Sequence, residues 1–140
     1  MNLAGKPERQ ARMKNVEEFI VSRLDTIEAL QGRGYPTAAQ VGDTDPPFAI
    51  FRVTREDYEI DLDGDAGIRT AMIRIEFFDD DNDRLCAVLE AAEKALKVDS
   101  ADLDDIYIYS SRARRGDEDD LDGTLDLFVK NLTATVVYWR

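Results

Sequence analysis

The segment from Arg69 to Phe78 constrains the fold most, because apolar and polar side chains alternate along it. Successive side chains of a β-strand point to opposite faces of the sheet. The apolar side of this segment consists of Ala71, Ile73, Ile75 and Phe77. The opposite side consists of Met72, Arg74 and Glu76. A strand with one apolar and one polar face is typical of an antiparallel sheet that is covered on one side only.

Two amphipathic helices are predicted on the chain. Apolar residues at spacings of three and four, ending at Leu30, predict a first helix over residues 7–30. Pro7 suits the first turn of this helix, and Gly32 favours its end, because glycine adopts the left-handed conformation easily. A similar apolar face predicts a second helix over residues 82–97.

Short runs of β-branched and aromatic residues predict four strands. They lie near residues 47–54, 69–78, 105–113 and 125–139. The acidic segment 55–67 contains glycine and is interpreted as a long excursion between the first two strands, whereas Asn131 is interpreted as a bulge in the last strand. The predicted fold class is α+β, with two helices on one face of a mainly antiparallel four-stranded sheet, in the order α-β-β-α-β-β.

The length of 140 residues and the absence of repeats or linkers predict a single domain over residues 1–140. Roughly residues 1–10 are expected to form a flexible arm before it. Eight apolar residues on the predicted helix and strand faces are expected in the core: Phe19, Ile20, Leu24, Ile73, Ile75, Leu85, Leu89 and Val136.

An aspartate-rich segment, Asp79-Asp80-Asp81-Asn82-Asp83, precedes the second predicted helix. Carboxylates at a helix start accept hydrogen bonds from free backbone N–H groups and interact favourably with the helix dipole. This segment is therefore interpreted as a helix cap. Cys86 follows it and lies beside the apolar face, so a packing role is predicted for this small side chain.

Several classes of function are disfavoured by composition. The chain has no histidine and one cysteine, which excludes Ser-His catalysis, an internal disulfide and multi-cysteine metal sites. No apolar run is long enough to span a membrane, and the N-terminal sequence lacks the apolar core of a secretory signal. The expectation is a protein that is not an enzyme and that binds no cofactor and no membrane.

The segment Asp61-Leu62-Asp63-Gly64-Asp65 superficially resembles a calcium-binding loop. An EF-hand loop needs glycine at its sixth position and a bidentate glutamate at its twelfth. Counted from Asp61, the glycine stands at the fourth position and Met72 at the twelfth, so no specific metal site is predicted. No glycine-rich phosphate loop is present, since Gly64 and Gly67 lie among acidic residues that would repel a phosphate.

The formal net charge of −12 arises from 30 acidic and 18 basic residues. Besides the aspartates before the second helix, two acidic runs lie between predicted strands, at residues 56–65 and 117–122. A surface of this kind repels nucleic acid phosphates and anionic lipid head groups, although solubility alone also accounts for it. A basic cluster, Arg112, Arg114 and Arg115, is interpreted as offsetting neighbouring acids rather than as contacting nucleic acid.

The order of elements and several local sequences resemble those of the tail terminator (tail completion, or head–tail joining) proteins of long-tailed bacteriophages and related gene transfer particles. The resemblance covers the chain from about residue 10 to its end. It rests on Pro47-Phe48-Ala49-Ile50-Phe51-Arg52-Val53, on the excursion around Asp63-Gly64-Asp65, on the strand Arg69 to Phe78, on Asp83-Arg84-Leu85 with Leu89, and on the closing strand Thr135-Val136-Val137-Tyr138-Trp139-Arg140. The density of acidic loops departs from the usual pattern.

The resemblance implies a structural virion protein, made in the host bacterial cytoplasm, that forms a ring, usually hexameric. Such a ring caps the tail tube, stops its polymerisation and joins it to the head connector or stopper protein, while DNA passes through the lumen without specific binding. The resemblance carries no catalytic residues. Candidate lumen or inter-subunit residues are acidic: Asp57, Asp61, Asp63, Asp65, Asp117, Glu118, Asp119, Asp120 and Asp122.

Three alternatives remain open at the level of the sequence. The first is an acidic DNA mimic, which would bind a basic partner tightly and remain monomeric or dimeric. The second is another head–tail connector or stopper protein of the same type of particle. The third is a small enzyme that uses carboxylates alone, which the composition disfavours.

Overall fold

The structure is a computed structural model that describes residues 15–36, 45–61, 64–116, 120–122 and 127–140. Two α-helices and one 3₁₀ turn are present in these residues: α1 (Val16–Leu24), the turn Glu28–Leu30 and α2 (Asn82–Ala95). The strands are β1 (Gly34–Tyr35), β2 (Phe48–Asp61), β3 (Gly64–Asp79), β4 (Ala101–Asp102), β5 (Tyr107–Arg115), β6 (Asp120–Asp122) and β7 (Leu127–Trp139).

The strands form one mixed sheet in the order β1-β2-β3-β7-β5-β4, and β6 pairs with β7. The β1–β2 pair is parallel and the other pairs are antiparallel. The predicted fold class is therefore wrong, because the described residues form a seven-stranded mixed sheet and not a four-stranded one in the order α-β-β-α-β-β. The three additional strands have two or three residues each, too few to produce a periodic sequence pattern.

The segment 55–67 is not an excursion from the sheet. Strands β2 and β3 continue through it as a two-stranded ribbon, in which Ile60 pairs with Asp65 and Asp61 with Gly64. Charged residues are compatible with such a ribbon, because backbone hydrogen bonds hold the two strands while the side chains from Thr54 to Glu59 are exposed. Acidic composition therefore gave the wrong prediction for this segment.

The predicted bulge at Asn131 is also wrong. Asn131 pairs in register with Glu76 of β3. The register shifts occur instead between Val53 and Arg55, between Tyr58 and Ile60, and between Ile108 and Ser110. These bulges lie on the outer long strands β2 and β5, where an extra residue disturbs only one neighbouring strand.

The first helix ends earlier than predicted, and residues 7–14 of that predicted helix lie outside the described residues. It begins after Asn15, whose side chain accepts a hydrogen bond from the Glu18 N–H at 2.9 Å, and it ends at Leu24. Ile27 is extended, and the following 3₁₀ turn ends at Gln31 in a left-handed conformation. The apolar pattern continues to Leu30 because these residues still enter the core. Residues 1–14, including the predicted arm, lie outside the described part of the chain.

The helices cover the sheet face that the alternating segment predicts. Helix α2 contacts β3, β5 and β7, and α1 contacts α2. All eight predicted core residues are buried: Phe19, Ile20, Leu24, Ile73, Ile75, Leu85, Leu89 and Val136. A smaller apolar cluster lies on the opposite face, where the Phe48 and Phe78 rings stack at 4.9 Å next to Leu127. Within the described residues, no helix has the length and apolarity needed to cross a membrane.

Candidate functional site

The acidic run from Asp79 to Asp83 belongs to the scaffold. The Asp81 side chain accepts hydrogen bonds from the backbone N–H groups of Asp83 and Arg84, at 3.0 and 3.1 Å. These N–H groups have no acceptor within the helix, so the carboxylate supplies one. The predicted capping role is confirmed.

Asp79 has a second structural role that no sequence pattern predicts. Its side chain is fully buried, and its Oδ2 and Oδ1 accept hydrogen bonds from Nε and Nη2 of Arg84 at 2.8 and 2.6 Å. Burial alone would raise the pKa of Asp79, but the interactions with Arg84, together with a hydrogen bond from the Asp81 N–H and an interaction with Asp80, outweigh burial, so the pKa lies below its ordinary value of 3.8. This pair ties the end of β3 to the first turn of α2.

The first acidic run lies on the part of the β2–β3 hairpin formed by residues 55–61 and 64–70, which we call the distal ribbon. Asp57 is exposed on β2 and forms an ion pair with Arg55 at 3.0 Å. Asp61 pairs with Gly64, and Asp65 pairs with Ile60 across the ribbon. Asp63 lies outside the described residues.

The described part of the third acidic run, residues 120–122, lies on strand β6 next to β7. Asp120 and Asp122 belong to β6 and pair with Val129 and Leu127 of β7. Asp117, Glu118 and Asp119 lie outside the described residues. Strands β3 and β7 separate β2 from β6, so the structure does not bring the described parts of the two candidate runs together.

The distal ribbon is held at its base by a cluster near the C-terminal end of β7. The Tyr138 hydroxyl donates a hydrogen bond to the Glu56 carboxylate, and the Arg69 guanidinium lies 4.6 Å from the centre of the Tyr58 ring. Burial raises the pKa of Tyr138, and the Glu56 carboxylate raises it further, so the phenol remains protonated at neutral pH. These residues are far apart in the sequence, and no motif predicts their contact.

The Gly67 backbone brings the ribbon against Trp139. A Cβ atom at Gly67 would lie 2.5 Å from the Trp139 Nε1 atom, and the φ angle of this glycine is +82°. The Gly67 carbonyl also accepts a hydrogen bond from the Arg140 N–H at 3.1 Å. A side chain at this position would therefore separate the ribbon from the end of the sheet.

The two outer long strands are covered only in part by the short strands. Strand β1 pairs with Ala49 and Ile50 of β2, and β4 pairs with Tyr107 and Ile108 of β5. A single bridge joins Val98 to Ser111. The rest of β2 and the rest of β5 have no outer strand partner among the described residues.

The basic cluster lies on the uncovered part of β5. Arg112 pairs with Asp99 at 2.6 Å, and Arg115 pairs with Glu93 at 2.7 Å. The prediction that these arginines offset neighbouring acids is confirmed for both. Arg114, between them, is exposed and forms no ion pair with another described residue.

The described residues contain no group of three or more potential metal ligands placed to hold an ion. The Asp61–Asp65 segment is partly outside them, so the prediction of no metal site there stays a prediction. The packing role predicted for Cys86 is wrong, because its side chain is exposed on α2.

Comparison with known proteins identifies a structural likeness. No family model matches the sequence, and no curated protein matches it. The fold is similar to that of a chain from a structure described as the virion of a native gene transfer agent (GTA) particle, with a TM-score of 0.64. The likeness covers 86% of this chain and 92% of that chain, at 16% sequence identity. It shows a shared fold.

Proposed function

We propose that this chain is a non-enzymatic structural subunit of a phage-like virion. The observation that carries the proposal is the fold likeness to a chain of a gene transfer agent virion, which extends over nearly the whole of both chains. The strands at both edges of the sheet, which the described residues cover only in part, support it, since such strands are surfaces on which further chains assemble.

Within such a particle, we infer the role of a tail terminator. The resemblance in local sequences, including the closing strand from Thr135 to Arg140, supports this role. A homo-oligomeric ring would cap the tail tube, stop its polymerisation and join it to the head connector or stopper protein. The chain would then be located in the virion, at the interface between head and tail.

The acidity of the chain fits passage of DNA through such a ring. Carboxylates in the lumen would repel the phosphates and prevent the genome from binding to the wall. The run from Asp117 to Asp122 is the preferred lumen segment, because five of its six residues are acidic and glycines flank it. This assignment is part of the proposal.

Deletion of the gene in the particle that encodes it tests the role. Loss of a terminator should leave heads without tails and tail tubes of uncontrolled length in negative-stain images, and the wild-type gene should restore joined particles. Tails of normal length that fail to attach would indicate a connector or stopper protein instead. Normal particles without the chain would overturn the structural role.

Neutralising the acidic residues of the segment 117–122 tests whether this segment lines the lumen. One variant carries four substitutions: Asp117→Asn, Asp119→Asn, Asp120→Asn and Asp122→Asn. Its matched control also removes four charges, by Glu17→Gln, Glu28→Gln, Asp83→Asn and Asp102→Asn. The first variant should assemble normally but release DNA more slowly at low salt, with an effect that fades as salt reduces the Debye length to about 10 Å at 0.1 M. Unchanged release kinetics in intact particles would contradict the lumen assignment.

A further inference from the structure

The end of the uncovered part of β2 and the end of the uncovered part of β5 carry opposite charges, whereas Arg52 and Arg55 are exposed on β2 nearer to β1. On β2, the exposed residues Glu56, Asp57 and Glu59 follow one another along the distal ribbon. On β5, the exposed residues after the Val98–Ser111 bridge are Arg112, Arg114 and Arg115. Each uncovered segment therefore presents three charges of one sign at an edge of the sheet.

The directions of the strands allow these two edges to join. Strands β2, β3, β7 and β5 are neighbours in the sheet, and each pair is antiparallel. Because four strands alternate in direction, β2 and β5 run in opposite directions. A second copy placed beside the first in the same orientation would therefore bring its β5 antiparallel to β2 of the first. The register through β3 and β7 aligns Arg112 with Arg55 and Arg114 with Arg52, so the second copy must also be displaced along the strands for residues 112–115 to reach residues 56–59.

The charges favour this contact over its alternatives. Pairing β2 with β2 would place carboxylates against carboxylates, and pairing β5 with β5 would place guanidinium groups against one another. Like charges directly opposite on neighbouring strands are destabilising, whereas opposite charges are stabilising. Among pairings of the segments 56–59 and 112–115, only that of β2 with β5 places opposite charges across the contact. Such a contact is head-to-tail, the type that generates a ring when the rotation between copies closes and an open filament when it does not.

Glu59 and Arg114 are the residues best placed to act between copies. Several of the other charged groups have partners within the chain: Asp57 with Arg55, Arg112 with Asp99, and Arg115 with Glu93. Glu59 and Arg114 are exposed and form no ion pair with another described residue. A neighbouring copy would therefore meet them without first breaking an ion pair among these residues.

We propose that residues 56–59 of β2 in one copy pair, antiparallel, with residues 112–115 of β5 in the next copy. The sheet then continues from subunit to subunit, and the partner of each edge is the opposite edge of a second copy of this chain. This proposal rests on the proposed function, which requires copies of the chain to assemble with one another. It adds the surface through which they assemble.

Charge reversal on each edge tests the contact by sedimentation of the purified chain. Glu59→Arg places an arginine among the acidic residues of the β2 segment, and Arg114→Glu places a glutamate among the arginines of the β5 segment. Each variant alone should need at least about a tenfold higher concentration to associate than the wild type, because it brings like charges together at the contact, which is destabilising. An equimolar mixture of the two should associate again, since the new arginine of one variant then meets the new glutamate of the other. Glu28→Arg, in the 3₁₀ turn, and Lys94→Glu, on α2, are controls with the same charge changes at exposed positions outside both edge strands.

Three results would contradict the proposed contact between β2 and β5. Variants with unchanged thermal unfolding midpoints that associate as the wild type does would overturn the contact, as would a mixture that remains dissociated. A wild-type chain that stays monomeric up to about 1 mM would also overturn it, because an interface weaker than that contributes less than about 4 kcal/mol. None of these results depends on particle assembly, so the contact can fail while the deletion experiment still supports the structural role.

Discussion

Replacement of Asp79 by asparagine should destabilise the fold by about 2 kcal/mol. The carboxylate is fully buried and accepts two hydrogen bonds from Arg84, at 2.8 and 2.6 Å. Asparagine keeps one acceptor oxygen but presents an NH₂ group to an Arg84 donor, so one hydrogen bond and the ionic attraction are lost. The Arg84 side chain is 43% exposed, and water can solvate its freed donor. The cost should therefore stay below the roughly 3–5 kcal/mol of breaking a fully buried pair.

The effect should depend on pH in a definite direction. The pKa of Asp79 is lowered in the folded state, so this group stabilises the fold above its unfolded pKa and loses that contribution as the pH falls through its folded pKa. The difference between wild type and Asp79→Asn should be constant above about pH 5 and should shrink below it. In the acid range the two proteins converge because both side chains are then neutral.

Urea unfolding followed by far-UV circular dichroism measures the effect as a shift of the midpoint at constant slope. Asp80→Asn is the matched control, since Asp80 also pairs with Arg84, at 3.2 Å, but is 61% exposed. An exposed ion pair contributes about 0–1 kcal/mol, so the control should change stability little. Equal effects of the two substitutions, or an Asp79→Asn effect that is the same at acid and neutral pH, would refute the assignment of a buried ion pair.

Three further predictions concern the core, the ribbon and metal binding. Leu89→Ala should cost about 2–5 kcal/mol in urea unfolding, because Leu89 is buried on the inner face of α2; a neutral effect would contradict its packing. Gly67→Ala should destabilise by more than about 1 kcal/mol and alter the fluorescence of Trp139, because the new Cβ meets the indole at a positive φ; unchanged fluorescence would place the ribbon elsewhere. Calorimetry with calcium should give only weak heats at Asp61–Asp65, and a sub-micromolar one-to-one isotherm that Asp63→Ala abolishes would show that a specific site exists.

The parts of the fold that could be predicted are those in which buried apolar residues recur at the regular spacing of a strand or a helix. The alternation from Ala71 to Phe77 identifies the inner face of β3, and the spacing of Leu85 and Leu89 identifies the buried face of α2. The capping role of Asp81 was equally predictable, because a helix start requires acceptors within three residues. In each case the residues that determine the structure are close together in the sequence.

The candidate site was less predictable from the same information. Acidic composition indicated where charge accumulates, but it did not show that residues 55–61 continue β2 as a strand. It also did not show that β3 and β7 separate the two acidic runs, or that Arg112, Arg114 and Arg115 lie on the edge opposite to Glu59. Charge is a local property of the chain, whereas the position of an edge depends on which strands become neighbours.

The sequence by itself therefore determined the helix α2 with its cap, the inner face of β3 and the eight core residues. Tertiary structure alone decided the mixed seven-stranded order, the burial of Asp79 against Arg84, the contact of Glu56 with Tyr138 and the two uncovered edges. The physical reason is the separation along the sequence of the residues that interact. Periodic burial acts through side chains a few residues apart, so it is visible in the sequence. Backbone pairing between distant strands uses the same N–H and C=O groups in every residue, so it leaves no local pattern.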